Sequence, residues 1–184
     1  METTRRLILA GGLGLAGGIL PLAAEASSRS ELTADGRRAL AKLVDTEPKA
    51  RRVSRQARAV LVFPQIIKAG LVFGGETGDG VLLVNGAAEG FYNISGGSWG
   101  LQIGGQTFGF ALFFMNESSL RYLRKSAGFS VGSGPNIVVV GKGAGAEVNT
   151  TTLTQDVYAF PFNQKGLMAE LTLQGTKITR IHPD

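Results

Sequence analysis

The chain has no cysteine, and its one histidine, His182, stands third from the C-terminus. These two scarcities remove several classes of chemistry. No disulfide can staple the fold, and no thiol is available for a lipid anchor. Neither a Cys–His pair nor a zinc site of ordinary ligand count can be assembled. A Ser–His–Asp triad would have to use His182, and a chain end rarely supplies fixed geometry. Glu76 and Asp79 share a glycine-rich segment, but their spacing is not that of a calcium loop. Both read as solvated turn carboxylates. A complete phosphate loop is missing too. Gly141-Lys142-Gly143-Ala144-Gly145 lacks the four-residue spacer and the Ser/Thr after lysine, and Gly74 to Gly80 lies between strands. The expectation is a protein with no catalytic residues, no metal and no cofactor.

Long apolar runs are also scarce. The one at the start, Leu7 to Leu22, has 16 residues and five glycines, short of the ~20 that span a bilayer. It follows Arg5 and Arg6 and precedes Ala24-Glu25-Ala26, an A-x-A cleavage pattern. That is the layout of a secretory signal over residues 1–26. Thr4-Arg5-Arg6-Leu7-Ile8-Leu9 also resembles a twin-arginine signal. Ordinary signals carry paired arginines as well, so both export routes stay open. Residues 27–184 then form one domain, expected to be periplasmic or secreted. The signal is neutral, so the net charge of +5 stays on that domain. A moderately basic exported chain meets phospholipid headgroups more often than nucleic acid.

Glycine is abundant, at 27 residues. The stretch Gly96 to Met115 concentrates it in an alternating pattern. Leu101, Ile103, Gly105, Thr107, Gly109, Ala111 and Phe113 fall on one face of a strand; Gln106, Phe108, Phe110, Leu112 and Phe114 fall on the other. It reads as one strand, or as two joined near Gly104-Gly105. Gly105 is expected where a side chain does not fit. The smooth face either packs in the core or lines a groove for an apolar ligand. Trp99, just before it, either fills the core or anchors at a membrane interface.

Helices come first. Thr33 is the expected N-cap of one in which Ala39, Leu40, Leu43 and Val44 share a face opposite Arg38, Lys42 and Asp45. Pro48 opens a second, with Ala50, Val53, Ala57 and Val60 on one side. Arg51, Arg55 and Arg58 lie on its other side and Arg52 on a flank. This arginine face is either solvated or a surface for anionic membranes, with Lys68 as a neighbour. Strands follow: Ala59 to Phe63, Ile66 to Phe73, then Gly74 to Gly80 as a turn, and Val81 to Val84. Asn85-Gly86 marks a hairpin into Ala87 to Ile94. Asn116 caps a helix over Glu117 to Lys125. Short strands lie near Phe129 and Asn136 to Val140, and Lys142 to Thr152 is a loop. The chain closes in a meander of Asp156 to Phe162, Leu167 to Leu173 and Lys177 to Ile181, with Asn163 to Gly166 as one turn. The class is α+β, with N-terminal helices on a strongly bent, mostly antiparallel, glycine-rich or barrel-like sheet.

Several ordered motifs resemble one family. Ala59-Val60-Leu61-Val62-Phe63-Pro64 and Lys68-Ala69-Gly70-Leu71-Val72-Phe73-Gly74-Gly75 resemble the start of the SYLF domain family, also described as a yeast-type actin-binding domain. Trp99-Gly100-Leu101-Gln102-Ile103-Gly104-Gly105-Gln106 is similar to its central motif. Asp156-Val157-Tyr158-Ala159-Phe160, Lys165-Gly166-Leu167-Met168-Ala169 and Leu173-Gln174-Gly175 resemble its last strands. The resemblance covers roughly Leu32 to Ile181. It implies non-enzymatic phospholipid binding, of phosphoinositides in eukaryotic adaptors, with a basic amphipathic N-terminal segment involved. It also implies actin binding in some fungal members. An exported bacterial-type chain meets neither ligand in its compartment, so the class carries over as anionic phospholipid or a membrane surface. The candidate contacts are Arg51, Arg52, Arg55, Arg58, Lys68 and Trp99. An envelope protein-interaction module is the alternative, with an envelope protein as partner and neither nucleic acid nor actin expected.

Cleavage after Ala26 is the expected processing. N-terminal sequencing of exported material should begin at Ser27; a start at Met1 contradicts the signal reading.

Overall fold

The computed structural model describes residues 28–70, 73–99, 104–125, 129–130, 134–141, 153–165 and 176–184, without the side chains at 70, 73, 98, 99, 104 and 130. The expected signal segment lies outside the described residues, as do the loop at 142–152 and the strand at 167–173.

Helix α1 spans Arg29–Thr46. It starts earlier than the Thr33 cap expected from the sequence, because Ser28 makes a complete capping box. Glu31 N–H donates to Ser28 Oγ at 3.3 Å, and Ser28 N–H donates to the Glu31 carboxylate at 3.1 Å. Leu32, Gly36 and Leu43 are buried, Ala39 and Leu40 pack beside them, and Arg38, Lys42 and Asp45 lie toward solvent. Helix α2 covers only Pro48–Ser54, with Pro48 in its first turn as expected. Ala57 and Arg58 lie beyond it, and Val60 belongs to the sheet. The expected second helix therefore holds only half of its predicted apolar face.

The strands are β1 (Ala59–Gly70), β2 (Phe73–Val84), β3 (Ala87–Trp99), β4 (Gly104–Phe114), β5 (Phe129–Ser130), β6 (Ile137–Val139), β7 (Val157–Lys165) and β8 (Thr176–Ile181), with α3 (Glu117–Lys125) after β4. They form one sheet in the order β5-β8-β3-β2-β1-β4-β7-β6. Every pair is antiparallel except β6 with β7. The sheet curls into a half-barrel with the first helices packed on it, which is the α+β class read from the sequence.

Local signals were read correctly. Asn85 and Gly86 have φ of 50° and 79° and turn β2 into β3. Asn116 Oδ1 accepts from Ser119 N–H at 2.9 Å and caps α3, whose Leu120 and Leu123 are buried. Non-local pairing differs from the expectation. Gly74 to Gly80 is part of β2, not a turn, and Asn163 to Lys165 belong to β7. The stretch from Gly96 to Met115 is divided between β3 and β4, which lie on either side of the β2–β1 pair. Among the described residues the first and last strands of the expected meander lie on opposite flanks: β7 pairs with β4 and β6, whereas β8 pairs with β3 and β5.

Both faces of the sheet are buried over part of their length. The inner face carries Leu61, Phe63, Ile66, Leu82, Tyr92, Ile94, Phe108, Phe110 and Phe114, with Leu120 and Leu123 of α3 against them. The outer face carries Val60, Val62, Val81, Leu83, Ala111, Phe113 and Phe160, with Leu43, Ala50 and Val53 of α1 and α2 against them. Arg124 of α3 binds the Glu89 carboxylate of β3 through two nitrogens, at 2.7 and 2.8 Å.

Strand β1 contains one extra residue. Phe63 pairs with Phe110 and Ile66 with Phe108, so a bulge occupies Pro64-Gln65. Proline has no N–H for the ladder and sits within sheets at such bulges. The extra residue reverses the alternation. Before it, Leu61 and Phe63 point inward; after it, Ile66 and Lys68 do. Ile67 is thereby turned outward and left 52% exposed.

Two glycines separate crowded from open positions. A Cβ on Gly36 would stand 2.3 Å from Val81 Cγ1, so this glycine lets α1 approach the sheet. A Cβ on Gly105 would meet nothing within 4 Å. The expectation that Gly105 is sterically closed is therefore overturned. Gly36→Ala should lower stability by roughly 1–3 kcal/mol through overpacking. Gly105→Val should stay within about 0.5 kcal/mol of the parent, as surface changes do. Urea unfolding of both variants checks the contrast.

Candidate binding site

The six residues singled out in the sequence do not form one site. Arg51 is exposed but committed: its Nε donates to Val44 O at 2.9 Å and its Nη2 to Asp45 O at 2.6 Å. It caps the last carbonyls of α1 and lies 3.5 Å from the Asp45 carboxylate. Arg52 is half-buried and has a partner of its own. Arg55 is the C-cap of α2, and Arg58 lies past it, where its N–H donates to Phe114 O at 2.8 Å. Both are exposed. The three-arginine face of a single helix is therefore not present.

Lys68 corrects the reading further. It lies near the far end of β1 from Arg58, about 30 Å along an extended strand of this length, so it is no neighbour of the arginines. It is also only 6% exposed. Its Nζ is 3.8 Å from Glu76 Oε2, and both side chains are buried. Glu76 is thus a buried partner rather than a solvated turn carboxylate; Asp79 accepts from Asn93 Nδ2 at 2.8 Å on the outer face. Trp99 ends β3 opposite Phe73, and its side chain lies outside the described residues.

On the inner face, the row through Lys68 reads Gln106, Lys68, Glu76, Gly96, Thr176 across five neighbouring strands. All the side chains in this row are buried. Gly96 makes the space: a Cβ there would stand 2.7 Å from Thr176 Cγ2 and 3.1 Å from Glu76 Oε1. Gln106 Oε1 is buried with no hydrogen-bond partner among the described residues. The row closes the apolar interior with a polar layer next to Ile66, Phe108 and Ile178.

On the outer face, α1 and α2 cover the half around Val62, Val81 and Ala111, and among the described residues no element covers the other half. The row after the bulge reads Lys165, Thr107, Ile67, Thr77, Ser95, Lys177 across six strands. All are exposed except half-buried Thr107. The next row reads Gly105, Ala69, Gly75, Gly97, all exposed. A second bulge, in β7, places two residues between Phe162 and Lys165 against one in β4, and Asn163 takes a φ of 51° there. Between the two bulges lies a cleft of about 500 Å³ lined by Lys42 of α1, Gln65, Thr107, Asn163, Gln164 and Lys165, with Phe108 at its base. Lys42, Lys165 and Lys177 have no acidic partner among the described residues. These residues were missed in the sequence because Lys42 read as an ordinary solvated position and Lys165 as part of a turn. Pro64 inside a strand pattern was the available signal.

No group of three or more His, Cys, Asp or Glu that could hold a metal occurs among the described residues. His182 is exposed.

Residues 95–182, a little under half of the chain, match the family model Ysc84, described as "Las17-binding protein actin regulator". This is the Ysc84 (SYLF) family that the motifs resembled, and the match over that stretch agrees with the resemblance. The match takes in the end of β3 and everything from β4 to β8. No curated protein matches the chain.

Burial raises the pKa of Glu76 above its ordinary 4.5, and Lys68 only partly pulls it back. The folded state therefore holds this proton to higher pH than the unfolded chain. The stability Glu76 contributes is fully present below about pH 4.5 and is lost as pH rises through the folded-state pKa. The unfolding free energy of the parent minus that of Glu76→Gln should fall as pH rises from about 4.5 upward. Chemical denaturation across that range is the measurement; a flat or rising difference contradicts the burial argument.

Proposed function

We propose that this protein is a non-enzymatic binding domain of the cell envelope whose ligand is anionic phospholipid at a membrane surface. The observation that carries the reading is the net charge of +5, to which the run at Lys49, Arg51, Arg52, Arg55 and Arg58, in a segment without an acid between Glu47 and Glu76, contributes. Arg55 and Arg58 extend into solvent there. The family match supports binding rather than catalysis, since the model's description names a binding protein and actin regulator. In the proposed envelope location the chain would not meet actin, which leaves the anionic lipid surface as the ligand. A second reading, an envelope protein-interaction module, draws on the uncovered sheet face; a pull-down from envelope extract tests it.

Sedimentation of the full chain with phosphatidylglycerol vesicles, against phosphatidylcholine vesicles, tests the leading reading. Binding should favour phosphatidylglycerol and weaken as salt rises, since the Debye length is ~8 Å at physiological ionic strength and shrinks above it. Equal sedimentation with both lipids contradicts it.

A further inference from the structure

We infer that the uncovered half of the outer sheet face is the surface that meets the anionic bilayer, with Lys42, Lys165 and Lys177 on the headgroups and Ile67 inserted between them. This rests on the anionic-lipid reading and assigns it to a surface other than the arginine segment.

Charge complementarity is the first argument. Lys165 and Lys177 end a row of six residues on adjacent strands, which at ~4.8 Å per strand separates them by roughly 24 Å along the sheet. Lys42 adds a third cation at the cleft beside Lys165. The acid in the neighbouring row, Asp79, accepts a hydrogen bond from the Asn93 amide. Three cations against that one carboxylate, spread over that width, suit an extended anionic surface better than a single small anion.

Shape is the second argument. Ile67 is 52% exposed at the middle of the row, between hydroxyl residues. The parallel row holds only glycine and alanine, and neither Gly97 nor Gly105 has any atom near the position of a Cβ. Among the described residues, nothing larger than a methyl group projects from that row, so a membrane surface could approach the sheet there. One exposed aliphatic side chain with lysines two and three strands to either side suits a peripheral contact in which basic groups stay at headgroup level. The cleft between the bulges supplies the side-chain amides of Gln65, Asn163 and Gln164 beside Lys42 and Lys165, donors suited to one headgroup phosphate.

The test compares four full-length proteins on phosphatidylglycerol vesicles: the parent, Lys42→Ser/Lys165→Ser/Lys177→Ser, Ile67→Ser, and Arg55→Ser/Arg58→Ser. Circular dichroism confirms folding, which changes at exposed positions should preserve. The triple lysine variant should bind on the order of a hundredfold more weakly and lose most of its salt dependence. Ile67→Ser should weaken binding at every salt concentration, and the arginine variant should lose less than the lysine variant. A parent that prefers phosphatidylglycerol while the lysine variant binds equally well overturns this surface and leaves the lipid reading intact. A parent without that preference overturns both. Unchanged vesicle binding together with loss of an envelope protein from a pull-down reassigns the face to a protein partner and also overturns the inference.

Discussion

Strand parity through the Pro64-Gln65 bulge decides what each side of this sheet presents. A strand alternates its side chains with period two, so a single inserted residue exchanges the faces of everything beyond it. Upstream, Val60 and Val62 lie beneath the helices and Leu61 and Phe63 fill the interior. Downstream, the exchange takes Lys68 inside and Ile67 outside. Because β1 is at the centre of the sheet, β2 and β4 must accommodate the same offset, and their registers do so. The polar layer inside, the open face outside and the cleft beside them all follow from this position.

Burial of Lys68 and Glu76 is costly by itself. Removing two charges from water is only partly repaid by their attraction, so such pairs seldom add net stability. Their placement is better understood through geometry. The pair occupies one row at the end of an apolar interior, opposite Gln106 and Thr176. A charge pair that is satisfied in only one register disfavours slippage of β1 against β2. Glycine is the complementary device. At position 96 it admits the Glu76 carboxylate, while at 105 and 97 it leaves the outer surface smooth.

Features fixed by neighbouring residues were legible in the sequence. The Asn85-Gly86 turn, Pro48 in the first turn of α2 and the Asn116 cap each depend on a few adjacent groups. The α+β class followed from the order of periodicities. Features that depend on distant partners were not legible. Arg51 looks like a free surface charge on a helical wheel, yet it belongs to the end of α1 because the chain folds back at Glu47. Lys68 looks exposed by simple alternation until the bulge is counted. The closing meander was drawn from sequence proximity, whereas β7 and β8 belong to opposite flanks. Of the basic groups, the arginine segment was legible, and within it Arg55 and Arg58 are exposed and take no part in capping α1.

The pairing of β3 with β8 has a consequence for how the chain acquires its structure. Gly96 meets Thr176 and Phe91 meets Ile181 across a long interval of sequence. Forming such contacts requires closing a large loop before any of its energy is recovered, which slows folding relative to local pairing. Until β8 arrives, the flank of β3 is an open edge with unpaired N–H and C=O groups. A chain that failed to place β8 would leave this side of the sheet available to other strands.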